Sequence, residues 1–260
     1  MSAEHSSDHY QETNLNQEIF RGNALLHAIT HKKSNIHRRY LGHREQEERF
    51  VKEEDELTAL LMGPLAFLPC ADITNFWAKI SAAGWSTENW SKEKTCSAVM
   101  DFWPKRYYQE RKYIEPDLFV TLTREDGTKR YLLVEFKWRA SLSGKLQLQD
   151  QWLKFLTEEE RKSAIHIFIG PDISYGLKAI TKDKQDNVDT WGGRLLLCSW
   201  HKIQGELSSL AKDDMTSLGK WAFQVMQVLT ALNIRPYRGF SELCTPGMRP
   251  KERTIFWTTP

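Results

Sequence analysis

The chain is poor in cysteine. Its four, Cys70, Cys96, Cys198 and Cys244, lie far apart and form no C-x-x-C pair. That spacing argues against a zinc knuckle or a disulfide framework and for reduced thiols, mostly packed in the interior. Long apolar runs are also missing. None approaches the roughly 18 residues of a membrane-crossing helix. The opening segment MSAEHSSDHYQETNLNQ is polar, without the apolar core of a secretion signal, so a cytoplasmic protein is expected. Nor is there an excess of charge of one sign. Thirty-six Lys and Arg against 34 Asp and Glu leave +2, which by itself announces no nucleic-acid partner. Internal repeats, low-complexity tracts, a Walker loop, G-x-G-x-x-G and G-x-S-x-G are all absent from the sequence.

What is present suits a globular α/β protein. At 260 residues and 40% hydrophobic, the chain can bury a sizeable core as one domain with elaborations. Residues 1–17 read as a disordered tail and 18–50 as a polar, His-rich helical extension. His27 and His31 there have the i, i+4 spacing of metal ligands, but HAITH lacks the Glu of H-E-x-x-H. The main domain spans 51–240, and 241–260 is a tail without periodicity. Leu57, Leu60 and Leu61 predict a helix that Gly63-Pro64 ends, and a second short helix follows over 73–83. WPKRYYQERKY, from 103, is the expected first strand. LFVTLT and YLLVEFKW are richer in β-branched and aromatic residues. In 145–160, Leu148, Trp152, Phe155 and Leu156 share a helical face. AIHIFIG (164–170) and RLLLCSW (194–200) read as strands, and 214–233 as a last amphipathic helix. This order predicts a mixed central sheet flanked by helices. Most of the ten tryptophans belong in its core.

Local charge is more telling than net charge. HKKSNIHRR (31–39) and WPKRYYQERK (103–112) cluster cations that would be solvated faces in most proteins. Beside a site for phosphodiesters they are candidate phosphate contacts.

The chemistry concentrates in IEPDLFVTLTREDGTKRYLLVEFKW (114–138). REDGTKR is a hairpin signal. With a three-residue loop, Glu125-Asp126-Gly127, facing positions sum to 252 and Asp117 faces Glu135 on one side of the sheet. With a two-residue loop, Asp126-Gly127, the sum is 253 and the two carboxylates fall on opposite sides. The sequence leaves both registers open. In the first, two carboxylates converge beside Lys137 and require a proton or a cation between them. A hard divalent ion with oxygen ligands meets that need. Leu132, Val134 and Phe136 form a wholly apolar opposite side. Glu-x-Lys also occurs at Glu110-Arg-Lys112 and Glu160-Arg-Lys162, so only the strand context lifts 135–137 above these.

Pro116-Asp117 on one strand and Glu135-Phe136-Lys137 on the next resemble the signature of the PD-(D/E)xK nuclease superfamily, over roughly 53–203. The resemblance implies a restriction-endonuclease-like α-β-β-β-α-β core and a Mg²⁺-dependent phosphodiesterase, with Mn²⁺ a possible substitute. Asp117, Glu135 and the main-chain carbonyl of Phe136 would bind the metal. Lys137 would position or activate the attacking water. Members often carry an acid on the preceding helix, for which Glu56 is the choice here, completing the metal shell. They often carry a Gln on the following helix, for which Gln147 is preferred over its i, i+4 neighbour Gln151. DNA is the substrate the resemblance favours; RNA stays open. Anti-phage defence is a plausible setting, with a homo-oligomer or a defence complex as partner. The alternative is an inactive interaction subunit of a nucleic-acid-processing complex. His166, inside an apolar strand, reads as packed.

Overall fold

The computed structural model describes residues 53–82, 94–138, 146–231 and 234. The expected disordered tail, His-rich extension and C-terminal tail lie outside them. Helix α1 (Glu53–Met62) ends at Gly63, and Pro64 opens a 3-10 turn, Pro64–Phe67. Proline suits that first position because it has no amide to leave unpaired. Helix α2 (Cys70–Ala82) buries Ile73, Phe76, Trp77 and Ile80, an i, i+3, i+4, i+7 stripe.

Five strands form the sheet: β1 (Thr95–Phe102), β4 (Leu118–Arg124), β5 (Lys129–Phe136), β6 (Ala164–Gly170) and β7 (Leu195–Ser199), side by side in that order. The first three are antiparallel; β5, β6 and β7 are parallel. The chain is thus an α/β protein with a mixed sheet flanked by helices. The expected first strand is corrected. TCSAVMDF supplies β1, a stretch with weak alternation that hides in the sequence. Trp103 then adopts a positive φ of 48°, and Pro104 follows. The chain leaves the sheet there, so 103–114 cannot continue it. Its residues make a separate two-stranded hairpin, β2 (Arg106–Gln109) and β3 (Lys112–Ile114).

Between β5 and β6, helix α3 (Gln147–Asp150) passes into a π turn, Gln151–Phe155. A capping box at Thr157 and Glu160 then starts α4 (Glu158–Lys162). Two further helices, α5 (Ser174–Gln185) and α6 (Trp200–Leu210), precede α7 (Ser217–Ala231). The sequence reading passes over α5, which buries only Gly176 and Asp183, and over α6, although its buried Trp200, Ile203, Leu207 and Leu210 do form an apolar stripe.

The sheet separates two cores. Leu132, Val134 and Phe136 face the larger one, with Phe76, Trp77, Ile203, Trp221 and Val225. Leu133 faces a smaller core of Phe119, Leu148, Trp152, Phe155, Phe168 and Trp191. All seven described tryptophans are buried. No described helix is long and apolar enough to cross a membrane.

The hairpin register is the three-residue one. Leu118 pairs with Val134 and Thr123 with Lys129. The Gly127 amide donates to the Arg124 carbonyl at 2.9 Å, and the Arg124 amide to the Thr128 carbonyl at 2.9 Å. Gly127 has φ +80°, where a Cβ is strained even though open space surrounds it. Asp126 Oδ1 accepts from the Thr128 amide at 2.9 Å and holds the turn from inside. Replacing Gly127 by Val should therefore cost about 1–2 kcal/mol, read as a lower urea midpoint at unchanged slope. Asp126→Ala should cost less. An undiminished midpoint for Gly127→Val would mean that the turn does not hold the register.

Candidate functional site

Asp117 ends the link into β4, and Glu135 is the penultimate residue of β5. The register places them as facing residues, one step beyond the Leu118–Val134 pair. This is the carboxyl end of the parallel strands β5 and β6, a common location for sites in such sheets.

Glu135 is 1% exposed. A carboxylate so deep must be held by donors, and three side chains supply them. Lys137 Nζ lies 2.8 Å from Oε1. Gln147 Nε2 donates to Oε1 at 2.6 Å, and Gln151 Nε2 to Oε2 at 2.7 Å. Both glutamines therefore serve one carboxylate, because four residues along α3 and its π turn return them to the same side. π turns recur at functional sites. Asp117 Oδ2 accepts from the Phe136 amide at 2.8 Å. Burial, and then the charge of Glu135, push the Asp117 pKa well above the usual carboxylate range, against the opposing pull of Lys137. Burial works against the Lys137 ammonium, but Glu135 and Asp117 outweigh it and hold its pKa above the ordinary value.

The strap 136–138 is pinned at each residue. The Lys137 amide donates to the Ile169 carbonyl at 2.7 Å, and Trp200 Nε1 donates to the Lys137 carbonyl at 2.8 Å. The Trp138 amide donates to Glu54 Oε1 at 2.8 Å. Trp138 stacks on Trp200, with centroids 3.8 Å apart. Lys137 thus has little freedom at its root.

The acid that α1 brings to this strap is Glu54. Its Oε2 lies 3.8 Å from Lys137 Nζ, and Asp55 acts electrostatically on Asp117. The expected Glu56 lies on another face of the helix. Its stripe partner Leu60 is 49% exposed, whereas Thr58, Ala59, Leu61 and Met62 are buried. Of the anticipated stripe, Leu57 and Leu61 pack on the larger core and only Leu60 does not; Glu56 is two residues from Glu54, about 200° of rotation along the helix.

Behind Glu135 runs a buried chain of polar groups that the sequence did not announce. Gln151 Oε1 is 3.1 Å from His166 Nε2, and Trp191 Nε1 donates to His166 Nδ1 at 3.2 Å. The indole can only donate, so Nδ1 is the acceptor and Nε2 carries the proton. That proton orients the Gln151 amide, and so aims its NH₂ at Glu135. His166 is fully buried, parallel to the Trp152 ring at 6.1 Å. Burial drives its pKa down to about 3. The expectation that His166 is packed describes its burial; its bonds to Gln151 and Trp191 needed the tertiary structure.

No protein-family model, curated protein or solved structure matches this chain. The site must be judged from its own chemistry. Among the described residues, no three His, Cys, Asp or Glu side chains gather as a ready metal cage. The donor set is smaller: Asp117, Glu135 and, as a potential third ligand, the Phe136 carbonyl. Mg²⁺ is usually held through one or two carboxylates while keeping several waters, so two facing carboxylates, one with a raised pKa, fit that ion.

His166 also makes stability depend on pH. It is neutral in the folded chain down to about pH 3, but takes a proton near pH 6.5 when unfolded. The unfolded state binds more protons between those values, so stability falls as pH drops through this window, by up to ~1.4 kcal/mol per unit. The raised pKa of Asp117 works the other way: stability falls as pH rises from about 4 toward its folded value. Replacing His166 by Phe should flatten the loss of Tm between pH 7 and pH 5 while lowering Tm at pH 7, because Gln151 and Trp191 lose a partner. An unchanged acid slope would show that His166 is not the titrating group.

Proposed function

We propose that the protein is a metal-dependent nuclease hydrolysing phosphodiester bonds, with DNA as the favoured substrate. The observation that carries this is the facing of Asp117 and Glu135 with Lys137 2.8 Å from Glu135. The helix–three-strand–helix–strand order around them, with β5 and β6 parallel, supports a PD-(D/E)xK, restriction-endonuclease-like core. In that reading Asp117, Glu135 and the Phe136 carbonyl hold Mg²⁺ or Mn²⁺. The ion would lower the pKa of a bound water and neutralise charge on the phosphate.

The chain's own groups do the rest. Gln147 and Gln151 fix the Glu135 carboxylate and leave it no freedom to turn away. Burial and Glu135 hold Asp117 in a state that favours a proton or a cation over bare ionisation. Lys137 stays an ammonium through neutral pH, so its role is to neutralise and orient a phosphate oxygen or water rather than to act as a base. Glu54, through the Trp138 amide and Lys137, sets the direction of that ammonium. The anti-phage setting and a defence-complex partner remain part of this proposal as its biological context.

Plasmid and single-stranded substrates incubated with Mg²⁺, Mn²⁺ or EDTA test the reading. Wild type should cut only with the metal. Lys137→Ala and Asp117→Asn should each lose at least about 100-fold in rate. Asp117→Asn removes a buried acid that Glu135 repels, so its Tm should equal or exceed that of wild type. Glu54→Gln should slow cleavage more than Glu56→Gln. Cutting that continues in excess EDTA, or a fully active Lys137→Ala, would sink the proposal. Folded, metal-blind protein would instead favour the interaction-subunit reading.

A further inference from the structure

The β2–β3 hairpin stands apart from the central sheet, yet it is firmly held on one side. Arg106 Nη1 donates to the Phe155 carbonyl at 2.8 Å, and its guanidinium forks onto Glu160 at 2.5 and 2.8 Å. The guanidinium carbon also lies 4.3 Å from the Phe155 ring centre. On the same side of the strand, Tyr108 meets Lys154 of the π turn at 5.0 Å. Alternation sends the intervening residues the other way. Tyr107 is 69% exposed and Tyr113 45%, and the two are cross-strand partners with ring centres 5.7 Å apart. Lys105 lies 4.8 Å from the Tyr113 ring centre. At the tip, Arg111 and Lys112 are exposed and have no acidic partner among the described residues. From Tyr113 the chain needs only four residues to reach Asp117, at most about 14 Å.

We propose that this outward face is a stacking platform for single-stranded nucleic acid, holding nucleotides that flank the phosphate at the Asp117–Glu135 site. The assignment rests on the nuclease reading for that site. Three features point to this occupant. Two large rings exposed on a rigidly anchored hairpin offer π faces that any base can use. Arg111 and Lys112 at the tip complement a phosphate backbone, whereas Lys105 is already paired with Glu115 at 3.0 Å. A duplex would shield its base faces within its own stack, so unpaired bases fit these rings better. Arg111 sits at φ +63°, which fixes the tight turn that presents Arg111 and Lys112 together at the tip.

Anisotropy of fluorescein-labelled poly(dT), and of a duplex of equal length, titrated with the full chain in EDTA, tests this without cleavage. Wild type should bind the single strand more tightly. Tyr107→Ser with Tyr113→Ser should weaken it at least about tenfold, whereas the Tyr→Phe pair should bind like wild type. Arg111→Ala with Lys112→Ala should lower the slope of log affinity against log salt by about 1.4, at ~0.7 per lost phosphate contact. No measurable oligonucleotide binding by wild type would overturn the proposal. So would unchanged binding by the Ser pair, which would leave the face to a protein partner. Loss of metal-dependent cutting by wild type alongside a Ser-pair binding defect would remove the nuclease reading and keep the platform.

Discussion

The arrangement depends on one buried charge. Glu135 has almost no solvent contact, and a carboxyl group so buried needs protein donors in place of water. Lys137 comes from its own strand, one pleat further on. Gln147 and Gln151 come from the helix that crosses back over the sheet. Meeting that requirement ties β5 to α3, and through Gln151 to His166 on β6 and to Trp191 beyond it. A polar group so enclosed is costly if any partner is missing. The network therefore fixes side-chain directions across three elements at once.

The opposite face of β5 makes such a site possible. Leu132, Val134 and Phe136 anchor the strand in the large core, so the face bearing Glu135 need not supply the burial energy. Phe136 and Trp138 flank Lys137 and stack against Trp200. Three backbone bonds from the strap 136–138 then reach Asp117, Ile169 and Glu54. The result is a set of charged groups mounted on rigid backbone, a condition for electrostatic work on a substrate. The β2–β3 hairpin extends the same economy. Arg106 fixes its inward side, which leaves the outward rings of Tyr107 and Tyr113 exposed.

Part of this is legible in the sequence. The strands β4, β5 and β6 have strong β-branched and aromatic runs, and all three stand where the pattern put them. β1 is hard to read because TCSAVMDF alternates weakly, whereas the more aromatic 103–112 has the stronger strand pattern yet forms a separate hairpin. α5 escaped because a mostly exposed helix has no apolar stripe to read. On α1, Leu57 and Leu61 pack on the core as the pattern predicts while Leu60 is exposed, and the acid that meets Lys137 is Glu54 rather than the expected Glu56. Gln147 and Gln151 were visible as an i, i+4 pair, but that both serve Glu135 was not.

The sequence by itself determined which residues could carry the chemistry: Asp117, Glu135 and Lys137, set in strand-forming runs, and a turn with glycine in the position that tolerates positive φ. It also determined the apolar side of β5, since alternation follows from the pleat. Only the tertiary structure decided the register, because Asp-Gly serves a two-residue and a three-residue loop equally well. The choice depends on side-chain packing over both faces. Only the tertiary structure, too, could turn an isolated histidine in an apolar strand into a link between Trp191 and Gln151. Hydrogen bonds between residues 15 and 25 positions apart leave no period or spacing in the chain.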